Sequence, residues 1–132
     1  MNIMHLCAAH NIPLIYASSA AVYGNPSSRL IKEDTTAVPL SPYGADKYAS
    51  EAQAKLFGAL KGLKNIGFRF FNVYGPRQDP ASPYSGVISI FNNKIKNGET
   101  IEIHGDGTQE RDFIYIEDLI SILLRSQELV ST

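Results

Sequence analysis

The sequence predicts an α/β fold with a parallel sheet, on three observations. Two short apolar runs, 13–17 and 66–71, are each flanked by turn-forming residues. A long Pro-free stretch rich in Ala, Lys, Glu and Leu, 43–60, lies between them. A further strand-then-helix pattern closes the chain. Strand, long helix, strand is the order expected of a crossover between parallel strands.

Element by element, residues 2–9 suit a short helix with Ile3, Leu6 and Cys7 toward one face, ended by Asn11 and Pro13. Pro13-Leu14-Ile15-Tyr16-Ala17 has no polar alternation and reads as a strand buried on both faces, as parallel strands are. Residues 18–42 are rich in Ser, Gly, Pro and Thr and read as a long loop, a kind that in compact domains is usually functional or disordered. Ser41 supplies an N-cap and Pro42 a first-turn proline for the helix Tyr43–Leu60. After the turn 62–65, residues 66–71 form a strand and 72–86 a second Pro/Gly-rich loop. Residues 87–96 suit a helix stopped at Asn97-Gly98. Residues 100–103 read as a short strand, Gly105-Asp106-Gly107 as a turn, 113–116 as a strand and 117 to about 129 as a helix.

Composition removes several classes of function. The 132 residues suffice for one modest domain with a core. Twelve basic and thirteen acidic side chains give a net charge of −1, with no basic stripe for nucleic acid and no polybasic patch for a membrane surface. No apolar run approaches a membrane span, and the start lacks the marks of a signal peptide. The single Cys7 allows no internal disulfide, and no Cys/His spacing suits a metal. A cytoplasmic location is the expectation.

Four stretches could carry chemistry. Tyr43 and Lys47 stand four residues apart at a helix start, hence one turn apart on one face. An ammonium beside a phenol favours phenolate, and such a Tyr can serve as a general base. The pair by itself is more simply a surface pair. Ser18 and Ser19 follow the first strand, at the carboxyl end where ligands bind in open parallel sheets. Two turn serines is the simpler account of them alone. Asn72 and Arg77 lie where the second strand opens into a loop, on the rim expected for Ser19. Arg111 follows the Gly105–Gly107 turn, and a planar guanidinium suits a diphosphate. As isolated residues, both arginines read as surface ion-pair partners.

Together, Ala17-Ser18-Ser19-Ala20-Ala21-Val22-Tyr23-Gly24, Ser41-Pro42-Tyr43-Gly44-Ala45-Asp46-Lys47, Phe70-Phe71-Asn72-Val73-Tyr74-Gly75-Pro76-Arg77 and Arg111-Asp112-Phe113-Ile114-Tyr115 resemble the extended short-chain dehydrogenase/reductases. Within them the likeness is greatest to NAD-dependent nucleotide-sugar epimerases acting on UDP-glucose or UDP-N-acetylglucosamine. It covers residue 2 to about 124, with the motifs in family order and Ser19 preceding Tyr43 by 24 positions.

The resemblance implies a doubly wound, Rossmann-like sheet, of which this chain holds the C-terminal part together with part of a small substrate-binding region. Residues 1–75 would be the second half of the NAD-binding domain, 76–112 part of the sugar-nucleotide region, and 113–132 a returning strand and helix. It implies NAD as a cofactor retained and regenerated at each turnover, a UDP-sugar as substrate, no nucleic-acid or membrane partner, and a homodimer in the full-length protein, with the 43–60 helix in its interface. Tyr43 would take the proton of the sugar 4-hydroxyl, Ser19 would hold that hydroxyl, and Lys47 would bind the nicotinamide ribose and keep Tyr43 acidic. Ala17 and Phe71 would border the cofactor. Asn72, Val87, His104 and Arg111 would bind substrate, Asn72 and Arg111 at the diphosphate and His104 beside the base. Arg77 would have a structural or rim role.

Related 4,6-dehydratases carry Asp-Glu directly after the catalytic hydroxyl residue, and decarboxylases usually keep the second acid. Ala20 and Ala21 stand there here and transfer no protons. Epimerisation is therefore expected, with a keto-sugar reductase, a dehydratase or decarboxylase of the same family, and an inactive interaction module as alternatives. No GxGxxG occurs in the 132 residues. The chain is thus expected to be partial, to expose a sheet edge, and to bind NAD poorly alone.

Overall fold

The computed structural model describes residues 2–82 and 85–131. The chain divides into two compact units, Met1–Phe70 with Leu123–Thr132, and Phe71–Ile122. The fold is α/β with parallel strand pairs.

The first unit runs α1 (Asn2–Ala9), β1 (Leu14–Ser19), a 3₁₀ turn (Ala20–Tyr23), α2 (Pro42–Lys61) and β2 (Asn65–Phe70). β1 and β2 are parallel, in register from Leu14↔Asn65 to Ser19↔Phe70. α2 is the crossover between them. Ser41 starts it from an extended conformation, its Oγ accepting the Gly44 N–H at 3.0 Å, with Pro42 in the first turn. Gly62 ends it at φ +66°, a left-handed position where a Cβ is disfavoured. Gly62 N–H reaches Gly58 O at 3.1 Å and Leu63 N–H reaches Phe57 O at 3.3 Å, so the last carbonyls are satisfied. Leu63 is thereby turned inward to join Met4, Cys7 and Ala54 in the core, with Leu14, Tyr16 and Phe57 packed on it. His5 of α1 meets Phe57 of α2 edge-on at 4.7 Å between ring centres.

β1 differs from its expected form in two ways. It continues to Ser19, because its ladder with β2 runs six residues, while Pro13, lacking an N–H, stays outside. It is also not buried on both faces: Leu14, Ile15 and Tyr16 are half-buried, Ala17 is exposed and only Ser18 is buried. Among the described residues β2 is its only ladder neighbour, and a two-stranded sheet covers little of either strand. The expected loop 18–42 opens with the 3₁₀ turn, which buries Val22 completely and Tyr23 nearly so.

The second unit contains β3 (Asn72–Tyr74), α3 (Val87–Lys96), β4 (Phe113–Tyr115) and the start of α4 (Ile116–Ser131). β3 and β4 are parallel, Asn72↔Phe113 to Tyr74↔Tyr115, and the Tyr74 ring lies 5.5 Å from Tyr115 and 6.3 Å from Phe113. Residues 72–74, expected as loop, are strand because a distant segment supplies their ladder. Residues 100–103, expected as strand, form none: among the described residues no strand pairs with them, and Ile103 is exposed. α3 stops at Asn97-Gly98, whose N–H groups reach Asn93 O and Ile95 O at 3.1 Å. Glu117 and Asp118 occupy the first turn of α4, where carboxylates suit the helix dipole. Among the described residues no helix is long and apolar enough to cross a membrane.

Candidate functional site

The carboxyl end of β1 delivers three consecutive residues with different tasks. Ala17 is exposed, and its carbonyl accepts from Lys47 Nζ at 3.0 Å. Ser18 is buried and its Oγ donates to Glu51 Oε1 at 2.5 Å. Ser19 is half-buried and caps the 3₁₀ turn, its Oγ accepting from Ala21 N–H at 3.2 Å. Ser19 therefore acts locally as a turn serine, and its hydroxyl proton is not used in that bond.

α2 meets this strand end at its first turn. Gly44 is buried there, and a Cβ on it would stand 2.6 Å from the Ala21 carbonyl oxygen and 3.2 Å from Pro39 Cβ. Only glycine permits so close an approach. Since Gly44 adjoins Tyr43 and Ala21 lies two residues past Ser19, this contact draws the two sequence-predicted groups toward one end of the strand. The Tyr43 side chain stays 57% exposed, open to a ligand. Lys47 Nζ stands 5.7 Å from the Tyr43 ring centre while bonded to Ala17 O. The ammonium thus bridges strand and phenol. The site thus presents an exposed phenol beside an ammonium held by the strand backbone.

The network beneath was not singled out from the sequence. Glu51, one further turn along α2, takes Arg69 of β2 bidentately, Nε to Oε1 at 2.9 Å and Nη2 to Oε2 at 2.7 Å. Arg69 Nη1 also donates to Glu33 O at 3.2 Å, and the guanidinium lies 4.6 Å above the Tyr23 ring. The Arg69 hydrogen bonds hold the Glu51 carboxyl below its ordinary 4.5, against the opposing pull of burial and with help from Ser18. The same pair raises Arg69 above its ordinary value. Burial, and secondarily the Glu51 charge, pushes the Tyr16 phenol upward. The signal available in the sequence was the repeat Tyr43, Lys47, Glu51 at successive helical turns.

A depressed carboxyl stabilises the folded chain above the unfolded-state value, and this is lost as pH falls through the folded value. Acidification from about pH 6 to about pH 3 is therefore expected to destabilise wild type more than Glu51→Gln. The difference should be of order 1 kcal/mol, modest because Arg69 keeps 23% of its side chain exposed. Urea midpoints at the two pH values check this; equal losses in both proteins would remove Glu51 as the titrating group.

In the second unit, Asn72 opens β3 opposite Phe113, which follows Arg111 by two residues. Asn72 donates from Nδ2 to Asp112 O at 2.8 Å, and exposed Arg111 donates from Nη1 to Glu110 O at 2.8 Å. Val87, 40% exposed, opens α3. His104 is exposed, and its carbonyl accepts from Gln109 Nε2 at 2.8 Å. Phe71, at the start of this unit, is 36% exposed. Arg77 adopts φ +69° and lines a cavity of about 570 Å³ with Tyr74, Gln78, Asn92, Lys96 and Tyr115. Asn72, Val87, His104 and Arg111 do not line that cavity.

Known proteins share this arrangement of elements and motifs. The model of the NAD dependent epimerase/dehydratase family matches residues 1–130. A protein of Methanocaldococcus jannaschii, provisionally named UDP-glucose 4-epimerase, is 42% identical over 121 residues, which are 90% of this chain and 39% of that protein. The solved UDP-N-acetylglucosamine 4-epimerase of Methanobrevibacter ruminantium, in complex with UDP-N-acetylmuramic acid, superposes with a TM-score of 0.92 at 42% identity, over 96% of this chain and 41% of that one. The Thermus thermophilus UDP-glucose 4-epimerase complex with NAD gives 0.83 at 32% identity, over 96% and 43%. The chain thus spans about two fifths of the length of these relatives.

Proposed function

The chain belongs to the NAD dependent epimerase/dehydratase family, and from that membership we propose that it carries the proton-transfer centre of a nucleotide-sugar 4-epimerase acting on UDP-glucose or UDP-N-acetylglucosamine. One observation carries the reading: Lys47 Nζ is held at 3.0 Å by Ala17 O and stands 5.7 Å from the Tyr43 ring centre. A cation held by the backbone near a phenol ring that is open to solvent supports a general-base role for Tyr43.

Tyr43 Oη takes the proton from the sugar 4-hydroxyl and returns it. Ser19 Oγ, which accepts rather than donates in its bond with Ala21 N–H, donates to the same sugar oxygen and keeps it oriented. Lys47 holds the ribose next to the nicotinamide and keeps positive charge beside the phenol. NAD, when bound, supplies the redox chemistry that makes C4 a ketone and then restores it on the opposite face. Ala17 in the first unit would border the cofactor, and the same role is proposed for Phe71 in the second. Asn72 and Arg111 bond the diphosphate, the backbone at Val87 meets the nucleotide, and His104 lies beside the base. Ala20 and Ala21 offer no acid or base for elimination, which favours inversion over dehydration.

The relatives named as 4-epimerases support the reaction class, and the choice between the two sugars is part of the proposal. The full-length protein is proposed to be a homodimer through α2, whose Tyr48, Leu56 and Leu60 are 42%, 57% and 75% exposed. Exposed Ala45, Ala49 and Ala52 lie alongside.

The test incubates the chain with UDP-glucose and UDP-N-acetylglucosamine, alone and expressed with its flanking genomic sequence, with NAD present and products separated by chromatography. Conversion to the 4-epimer without net NADH is expected from the longer form. Accumulating NADH, or a product other than the epimer, would replace the reading by a reductase or another reaction of the family.

A further inference from the structure

Lys47 and Glu51 stand four residues apart on α2, the spacing at which an ammonium and a carboxylate normally pair along a helix. Such a pair would draw Lys47 toward its own helix and away from β1. In this structure each has another partner. Glu51 meets the Arg69 fork through both oxygens and the Ser18 hydroxyl through one, while Lys47 reaches Ala17 O. We propose that Arg69 is a positioning residue: by occupying the Glu51 carboxylate it keeps Lys47 directed at Ala17 and Tyr43. Its importance for turnover rests on the reading that Lys47 serves Tyr43.

The sheet register makes this possible. Ser18 pairs with Arg69 across β1 and β2, so the residue donating to Glu51 and the residue gripping it lie side by side. A planar guanidinium satisfies a carboxylate with two parallel bonds, which a rotating ammonium cannot match. Arg69 is itself immobilised by Glu33 O and by the face of Tyr23. Tyr23 is 5% exposed and donates to Lys32 O at 3.1 Å. The elements packed most closely on α2 contribute His5, Cys7, Tyr16, Tyr23 and Arg69 as titratable or charged side chains, none of them a carboxylate. On α2 itself the carboxylates within about one turn of Lys47 are Asp46 and Glu51, and a side chain one position away on a helix does not face its neighbour. Glu51 is the competitor, and Arg69 removes it from competition.

The test reads Lys47 directly and needs no catalysis. The 132-residue chain, with Arg69→Met, Glu51→Gln and the double variant, is methylated with limiting formaldehyde and cyanoborohydride. The rate at Lys47 is measured by peptide mass spectrometry against Lys55 and Lys61 as internal references. A carboxylate newly paired with Lys47 favours the unreactive ammonium. Arg69→Met is therefore expected to slow Lys47 methylation about 1.5- to 2-fold, the size of an i,i+4 ion pair, and adding Glu51→Gln should restore the wild-type rate.

An unchanged Lys47 rate in an Arg69→Met protein with native circular dichroism overturns the proposal, as does equal slowing in the double variant. Should Arg69→Met not fold, Arg69→Gln, which removes the charge but keeps a hydrogen-bond donor, is read in its place: slowing at Lys47 is expected, and an unchanged rate overturns the proposal. A chain that fails to epimerise sugars leaves this readout intact, so the two readings fail separately.

Discussion

Tyr43→Phe is expected to lower epimerisation by about 10²–10⁴-fold, the contribution of a positioned acid–base group, while thermal stability stays near wild type. The substitution removes one oxygen from a side chain that is 57% exposed, so little packing is lost. The Ser41 cap, the Gly44–Ala21 approach and the Lys47–Ala17 bond do not involve that oxygen. Activity and stability are thus predicted to separate, and this separation is the informative result. Turnover of both UDP-sugars by the longer form, beside melting curves, checks it. A variant retaining activity within about threefold of wild type would take the acid–base role from Tyr43.

Lys47→Met is expected to cost about 10²–10³-fold in kcat/KM, the range for removing one preorganised electrostatic group. Methionine keeps the apolar stem and loses the charge, so the bond to Ala17 O and the cation beside the phenol vanish together. Lys47→Arg should recover only a minor part. A guanidinium carries the charge, yet its planar fork is longer than the single ammonium that reaches one carbonyl at 3.0 Å. Steady-state kinetics of both variants at one fixed pH checks this; a Lys47→Met protein within about threefold of wild type would remove Lys47 from the machinery.

Local rules made α2 readable, because its signals are all within one segment: the Ser41 cap, Pro42, a run of good helix formers and the Gly62 stop. They also made α3 readable, with matching bounds at 87–96. They failed for β3, where Asn72-Val73-Tyr74 sits among Gly and Pro residues and becomes strand only by pairing with residues 113–115. They failed in the opposite sense at 100–103, where an alternating segment has no strand to pair with among the described residues. Strand formation depends on a partner far along the chain, and composition does not report one.

The sequence by itself determined the family, through four motifs in order, and with it the residues to examine: Ser19, Tyr43 and Lys47. It determined the one-turn spacing of Tyr43 and Lys47, since helical periodicity follows from the backbone alone. Only the tertiary structure decided where the Lys47 ammonium goes. Along the helix Glu51 is its natural partner, and along the strand Ala17 O is an ordinary carbonyl. The choice falls to Arg69, twenty-two positions beyond Lys47 in the chain, which the parallel register sets beside Ser18 and against Glu51. Competition among charges is settled by distance and geometry, and these come into being only when β1, α2 and β2 pack together.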